Sequence, residues 1–263
     1  MYFLEQSVLS ISKRNAHFDV LINQRNAWLW HSMHQNNWEE HTFNIFDRFL
    51  DLDHNYLDFG AFLGPTVLYA AHRAKHVYAV EPDPVAFGEL KINVCLNAPI
   101  ASKVTLINSA MSGETGTSRL YSRGAFGYAV SSLMPTISDD SCEVQCITIA
   151  DLMNQYNIRD VNFVKMDIEG GEYALIPCLK EFLEAEKPTF YASLHSPFLK
   201  ENLNRQGLSE MEAKNRFEQT CKDVLQVLSM YRHIYDNEGN LLDENDLRDR
   251  DYNGEFVFTD ECW

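Results

Sequence analysis

Two hydrophobic patterns alternate along most of this chain. Short, nearly continuous apolar runs rich in β-branched and aromatic residues predict buried strands at YLDFGA, VYAVEPD, VTLINSAM, VQCITI, NFVKMDIEG and PTFYASLH. Between them, apolar residues recur three or four positions apart and predict helices through TVLYAAHRA, VAFGELKINVCL, DLMNQY and EYALIPCLKEFLEAE. TSRLYS reads as a further strand-like run, followed by a Gly-containing stretch. Residues 200–230 predict a charged helix with Phe217, Val224 and Leu228 on its apolar side. The end of the chain, YRHIYDNEGNLL and GEFVFTDE, reads as two strand-like segments around an acidic loop.

Residues 1–50 have a different texture. They are polar-aromatic, with Trp28, Trp30 and Trp38 close together, and NIFDRFLDL has apolar residues at helical spacing. The reading is an N-terminal helical extension over residues 1–50, followed by one α/β domain over residues 51–263. There is no internal repeat, low-complexity tract or Pro/Gly linker. Alternating strands and helices imply a mainly parallel sheet with right-handed crossovers and helices on both faces. Ligands of such sheets bind beyond the carboxyl ends of the strands.

The motifs fall at those ends. DFGAFLG, residues 58–64, is a strand-to-helix turn in which Gly60 and Gly64 let backbone approach a ligand closely. The dinucleotide fingerprint GxGxxG is absent, because Phe62 and Leu63 occupy its positions, and a pyrophosphate gains nothing from a carboxylate at Asp58. A ligand with a cationic group suits that acid better. Glu81, closing the next strand, has the placement of an acid that accepts both ribose hydroxyls of a nucleoside, and Pro84 suits the first turn of the helix that follows. The plainer alternatives are a tight turn at Gly60 and Gly64, a solvated strand end at Glu81 and a helix cap at Asp83.

Together these features resemble the seven-stranded, Rossmann-like, S-adenosylmethionine-dependent methyltransferases. VKMDIEGGEYALI, residues 164–176, resembles the KxDxEGxE segment of the FkbM-type family. The frame of DFGAFLG against that family's DxGANxG, the segment VYAVEPDPVAFGELKINVCLN, VTLINSAMSGETG and PTFYASLH resemble it in the same order, covering residues 38–198 with an echo in YRHIYDNEGNLL. The resemblance implies that Asp58, Gly60, Ala61 and Gly64 line the methionine part of S-adenosylmethionine. It places Glu81 and Pro82 at the ribose, and Ser109 and Ala110 near the adenine. Asp167 faces the transfer site, with Glu169 and Glu172 close by. Two positions depart from the pattern: Phe62 stands for Asn, and Ser193 stands for the Glu of ExH, leaving His195 without that acidic neighbour.

His195 is the natural general base for a hydroxyl acceptor, since an ordinary imidazole titrates at about 6.5. A divalent metal on Asp167, Glu169, Glu172 and His195 is the second arrangement. A solvated helix start for the acids and a hydrogen-bonded core histidine are the bland ones. His31, His34 and His41 in HSMHQNNWEEH read as a polar helix face rather than a metal site. Trp38, Glu39 and Thr42 either cover the cofactor or pack the N-terminal helix. The loop SRGAFGYAVSSLMPTISDD, residues 122–140, reads as an acceptor-side lid or an ordinary hairpin.

Composition narrows the partners. The net charge is −16, from 22 basic and 38 acidic residues, which repels nucleic acid and acidic membranes and favours a neutral or cationic small molecule or glycan acceptor. Six cysteines without zinc-type pairing read as buried thiols of a cytoplasmic protein. No run approaches the roughly 20 apolar residues of a membrane span. The expected activity is O-methylation of a sugar or secondary metabolite. The rivals are an NAD-dependent oxidoreductase and a catalytically weakened cofactor-binding scaffold.

Overall fold

The structure is a computed structural model that describes residues 7–138 and 140–263. It opens with a β-hairpin, not a helix: β1 (Ser7–Lys13) pairs antiparallel with β2 (Ala16–Ile22). The helical reading is corrected here by a period of two, since Ile11 and Lys13 on β1 and Ala16, Phe18 and Val20 on β2 are buried while alternate residues face out. The reading of residues 1–6 lies outside the described residues. Helices follow at α1 (Ala27–His34) and α2 (Glu40–Phe49).

The strand–helix alternation then runs as the pattern predicts. It comprises β3 (Asn55–Phe59), α3 (Pro65–Ala71), β4 (His76–Val80), α4 (Pro84–Cys95), a short α5 (Ala98–Ala101) and β5 (Val104–Ile107). VTLINSAM is not one strand. It breaks at Asn108, and β6 (Ala110–Met111) leaves for a separate three-stranded sheet with β7 (Gly116–Tyr121) and β8 (Ser141–Ile147). After α6 (Ile149–Gln155) and β9 (Val161–Met166), the expected long helix is divided into α7 (Glu172–Leu175), a 3-10 turn (Ile176–Leu179) and α8 (Lys180–Glu186). Pro177 sits in that turn, where its missing amide hydrogen interrupts the helical ladder. The chain finishes with β10 (Thr189–Leu194), α9 (Ser196–Arg205), α10 (Glu210–Leu228), β11 (His233–Asp236), β12 (Leu241–Leu242), α11 (Glu244–Asp249) and β13 (Gly254–Thr259).

The central sheet has the order β12-β11-β13-β10-β9-β3-β4-β5. Eight strands replace the expected seven because the two-residue β12 adds to the edge of β11. From β10 to β5 the strands are parallel, and β13 runs antiparallel between β10 and β11. All five residues of β3 are buried, as the central strand of a sheet covered on both faces requires.

Each face has its own apolar core. The hairpin, α1 and α2 belong to one of them, where Phe46 packs edge-on against Tyr56 and Phe163 at 5.3 and 5.4 Å between ring centres. Burying each such ring contributes roughly 1.5–3 kcal/mol. The N-terminal segment is thus part of the sheet's core packing. No helix among the described residues is long and apolar enough to cross a membrane. All six cysteines are free; Cys146 and Cys221 are buried, but Cys95, Cys178 and Cys262 are exposed, against the expectation of buried thiols.

Candidate functional site

Two adjoining cavities open beyond the carboxyl ends of β3, β4, β9 and β10. The first, of about 340 Å³, is lined by Glu81, Pro82, Ser109 and Ala110. The second, of about 300 Å³, is lined by Trp38, Glu39, Lys165, Ser193, His195 and Glu255, among others. Gly60, Phe62, Ala129, Asp167 and Glu169 border both, so the cavities meet there.

The glycine turn divides its labour differently from the sequence expectation. Gly60 has φ +89, and a Cβ there would run into the carbonyl oxygen of Asp167. That contact welds the ends of β3 and β9 together and makes glycine obligatory. Gly64 (φ +92) faces Leu90 of α4, with an added Cβ 2.6 Å from its Cδ1, and borders neither cavity. Ala61 lines the second cavity.

Asp58 is fully buried and also borders neither cavity. Its Oδ2 accepts the Thr66 hydroxyl at 2.6 Å, while Oδ1 is buried without a hydrogen-bond partner. Burial raises its pKa, with Lys165 opposing. The side chain therefore sits beneath the turn. Thr66, its hydrogen-bond partner, lines the second cavity, which Asp58 itself does not border.

Glu81 is held in place from two sides. Its Oε2 accepts the amide of Phe62 and its Oε1 the amide of Asp83, both at 2.8 Å. Burial pushes its carboxyl up to about 8 against those two hydrogen bonds. Each oxygen keeps a further lone pair for a donor in the first cavity. Phe62 presents its amide by adopting φ 51, a left-handed conformation that a bulky side chain rarely takes. Asn108, where the expected strand breaks, donates to the carbonyl of Glu81 at 2.8 Å.

The loop from 122 to 138 folds over the first cavity through Tyr128, Ala129, Ser131, Ser132, Leu133 and Met134. Asp83 pins it. Its Oδ1 caps α4 through the amides of Val85 and Ala86, and its Oδ2 accepts the Gly127 amide at 2.7 Å and the Ser131 hydroxyl at 3.0 Å. The helix cap foreseen at Asp83 is real, and the same carboxylate is also the loop's anchor. The loop thus covers the first cavity and reaches the second through Ala129.

The segment after β9 gathers the remaining chemistry. Asp167 pairs with Lys165 at 3.2 Å; burial would raise its carboxyl, but Lys165 and His195 hold it below the usual range. Glu172 is wholly buried and accepts the amides of Ile168 (3.0 Å) and Gly170 (2.9 Å), which folds the turn in which Glu169 takes φ 56. It also meets Nδ1 of His195 at 3.0 Å, so His195 has an acidic neighbour from α7 although Ser193 supplies none. The Nε2 of His195 faces Asp167 and Glu169, each at 3.8 Å. Burial works against protonation of His195, yet Glu172, Glu169 and Asp167 together push it up to about 9. It is an imidazolium at neutral pH, not the neutral base that the ordinary value of 6.5 suggests. Burial, partly offset by His195, pushes Glu169 up to about 7.

Donor atoms of Asp167, Glu172 and His195 lie within 4.8 Å of one another. They do not fit a divalent cation well. Both oxygens of Glu172 already take backbone amides, and Oδ2 of Asp167 is paired with Lys165. His31 and His34 lie on α1 and are not part of this group. His41, on α2, pairs with Glu255 at the far wall of the second cavity.

Several residues at the site escaped the sequence reading. Lys165 stood inside a quoted motif without a role; its position before the acids in VKMDIEGG was the available signal. Glu255 and Asn253 reach the second cavity from the last strand and the turn before it, and no local pattern marks them.

A family model, the methyltransferase FkbM domain, matches residues 58–234. Among solved structures, a methyltransferase FkbM from Methylobacillus flagellatus KT is similar at 18% identity and a TM-score of 0.42. That match covers 59% of this chain and 37% of the other. SMU.1697c from Streptococcus mutans, solved in complex with SAH, is similar at 12% identity and a TM-score of 0.43, over 83% of this chain and 93% of that one. An rRNA methylase from Streptococcus thermophilus has 11% identity and a TM-score of 0.42, over 85% and 92% of the two chains. No curated protein matches the sequence.

Proposed function

This chain belongs to the FkbM methyltransferase family, and from that premise we propose that it transfers a methyl group from S-adenosylmethionine to a hydroxyl oxygen of a sugar or small-metabolite acceptor. The observation that carries the reading is the fixed carboxylate of Glu81 in a cavity that opens, past Gly60 and Phe62, into a second one bearing His195. The residues suit the cofactor. Glu81 has free lone pairs for ribose hydroxyls, Ser109, Ala110 and Pro82 wall the same cavity, and the carboxyl of Asp58 lies buried beneath the turn. A nicotinamide dinucleotide finds no glycine-rich cradle here. A phosphodiester acceptor would meet a chain of net charge −16.

When bound, the cofactor supplies an electrophilic methyl on a sulfonium. The chain's own task is placement, which is worth up to roughly 7–11 kcal/mol when donor and acceptor are held in line. Asp167, at the border of the two cavities, orients what lies on either side of it. Glu172 fixes the His195 ring through Nδ1, leaving Nε2 directed at the second cavity. Nε2 must be unprotonated to accept a proton from a hydroxyl, so the reaction draws on the form of His195 that has released its proton to solvent.

Calorimetric titration with S-adenosylhomocysteine and, separately, with NADH tests the reading. Micromolar binding of the first alone, abolished in Glu81→Ala, is the expected result. Binding of NADH alone would overturn it, and binding of neither would favour a scaffold that has lost its cofactor.

A further inference from the structure

The structure assigns Phe198 and Arg123 a joint positioning role: together they carry the placement of the loop over the first cavity to the ring of His195 in the second. The inference rests on the methyltransferase reading and adds how the two cavities of that site are coordinated.

Glu172 holds His195 by one atom, Nδ1. One hydrogen bond fixes an edge of a ring and leaves its plane free to tilt. The plane is set by Phe198, three residues further on in the first turn of α9, where the Phe198 amide donates to the His195 carbonyl at 3.0 Å. That spacing brings the two side chains to one side of the helix. Their rings stack with centres 5.6 Å apart and planes 9° from parallel.

Phe198 is itself held by two neighbours. A Cβ at Gly170 would lie 2.9 Å from the Cβ of Phe198, so the turn that carries Glu169 packs closely against it. Arg123 is the other neighbour. Its guanidinium carbon lies 3.7 Å from the centre of the Phe198 ring, and its Nη1 donates to Oε2 of Glu201 at 2.9 Å. Among the described residues, Nε of Arg123 and Oε1 of Glu201 are buried without hydrogen-bond partners. A guanidinium serving only to tie the loop to Glu201 would pair with both carboxylate oxygens; here it gives up that fork and lies over the ring.

Arg123 belongs to the loop over the first cavity. It follows Ser122, whose carbonyl accepts the Thr136 hydroxyl, and the far shoulder of the loop meets the same helix where Asn202 donates to the carbonyl of Pro135 at 3.4 Å. Between these ties lie Tyr128 and Met134, which line the first cavity. Neither Phe198 nor Arg123 lines either cavity, so both act through position. A shift of the loop carries Arg123 with it, changes the cover on Phe198 and so tilts the imidazole.

The test follows the proton on Nδ1 of His195 by nuclear magnetic resonance of the full chain carrying isotope-labelled histidine, with His195→Gln assigning the signal. Melting temperatures confirm that each variant folds. Phe198→Leu and Arg123→Met are expected to exchange this proton with water about tenfold faster than the wild type, and Phe198→Tyr, which keeps the flat ring, within about twofold of it. Saturating S-adenosylhomocysteine should slow the exchange several-fold in the wild type and leave it unchanged in Arg123→Met. An influence of the ligand passing directly through Asp167 would survive that substitution, so its survival overturns the link to the loop. Wild-type exchange rates in folded Phe198→Leu and Arg123→Met reduce both residues to packing and overturn the inference, with the cofactor reading intact. If Phe198→Leu does not fold, Arg123→Met decides by itself. Failure of the wild type to bind S-adenosylhomocysteine in calorimetry defeats the underlying reading and the link to the loop together.

Discussion

Nδ1 of His195 meets Oε1 of Glu172 at 3.0 Å, joining the end of β10 to a fully buried carboxylate at the start of α7. The pair fixes the ring's orientation and raises its proton affinity at once. If Nε2 is the proton acceptor, the activity should climb toward alkaline pH, with a limb near the about 9 that the folded environment sets. Removing the carboxylate's charge in Glu172→Gln should move that limb to lower pH by roughly one unit or more. A pH profile of kcat/KM checks this. A limb that stays in place would show that His195 is not the group that titrates.

The two glycines of the turn should respond differently to alanine. Both hold positive φ, which costs a side chain about 1–2 kcal/mol. At Gly60 the new methyl also strikes the backbone carbonyl of Asp167, which cannot withdraw without parting β3 from β9. Gly60→Ala is expected to yield little folded protein. At Gly64 the obstacle is the end of the Leu90 side chain, which can turn aside, so Gly64→Ala should fold with a melting temperature lowered by a few degrees. Thermal melts of the two variants decide the matter.

The ligand-free protein should lose stability as the medium becomes alkaline. Burial pushes Glu39 and Glu169 up to about 7 and Glu81 up to about 8, from an ordinary value of 4.5. His195 stands at about 9 against an ordinary 6.5, with Glu172 overcoming its burial. Each group binds more protons in the fold than in the unfolded chain, between its two values. Stability therefore falls as pH rises through those windows, by at most about 1.4 kcal/mol per pH unit for each group. Melting temperatures measured from about pH 7 to about pH 9 should decrease steadily.

Deleting residues 124–130 should weaken cofactor binding. As an acceptor-side lid the loop would leave that affinity intact, but it lines the cavity of Glu81 and is pinned by Asp83. Asp83→Asn, which keeps the shape and removes the charge, should lower S-adenosylhomocysteine affinity several-fold, a loss of about 1 kcal/mol or more. Titration of both variants measures it.

The turn at Gly60 and the strand end at Glu81 were legible in the sequence because their parts are local. A glycine turn after an apolar strand, and an acid at the end of the next strand, are features of a few consecutive residues, so Gly60 and Glu81 could be placed from them. Asp58 and Gly64 belong to the same motif, yet the motif does not say which way each faces. In a strand buried on both sides, alternation gives no clue. The hairpin at Ser7–Ile22 was missed because its buried Lys13 and exposed Val8 blur the alternation. Glu255 was beyond reach for a different reason. It arrives beside Ser193 only through the register of β10 and β13, a pairing of residues far apart in the chain. The raised proton affinity of His195 likewise depends on Glu172, and only folding brings those two together.

One buried side chain ties the first strands to the glycine turn. Asn93 of α4 accepts the amide of Leu21 on β2 at 2.8 Å and donates to the carbonyl of Leu63 in the glycine turn at 2.9 Å. Anything that stiffens the turn must also tighten the grip on the hairpin. Occupancy of the first cavity would then register as slower amide hydrogen exchange at Leu21, and removal of the hairpin would be felt as a loss of affinity in a cavity that the hairpin does not line.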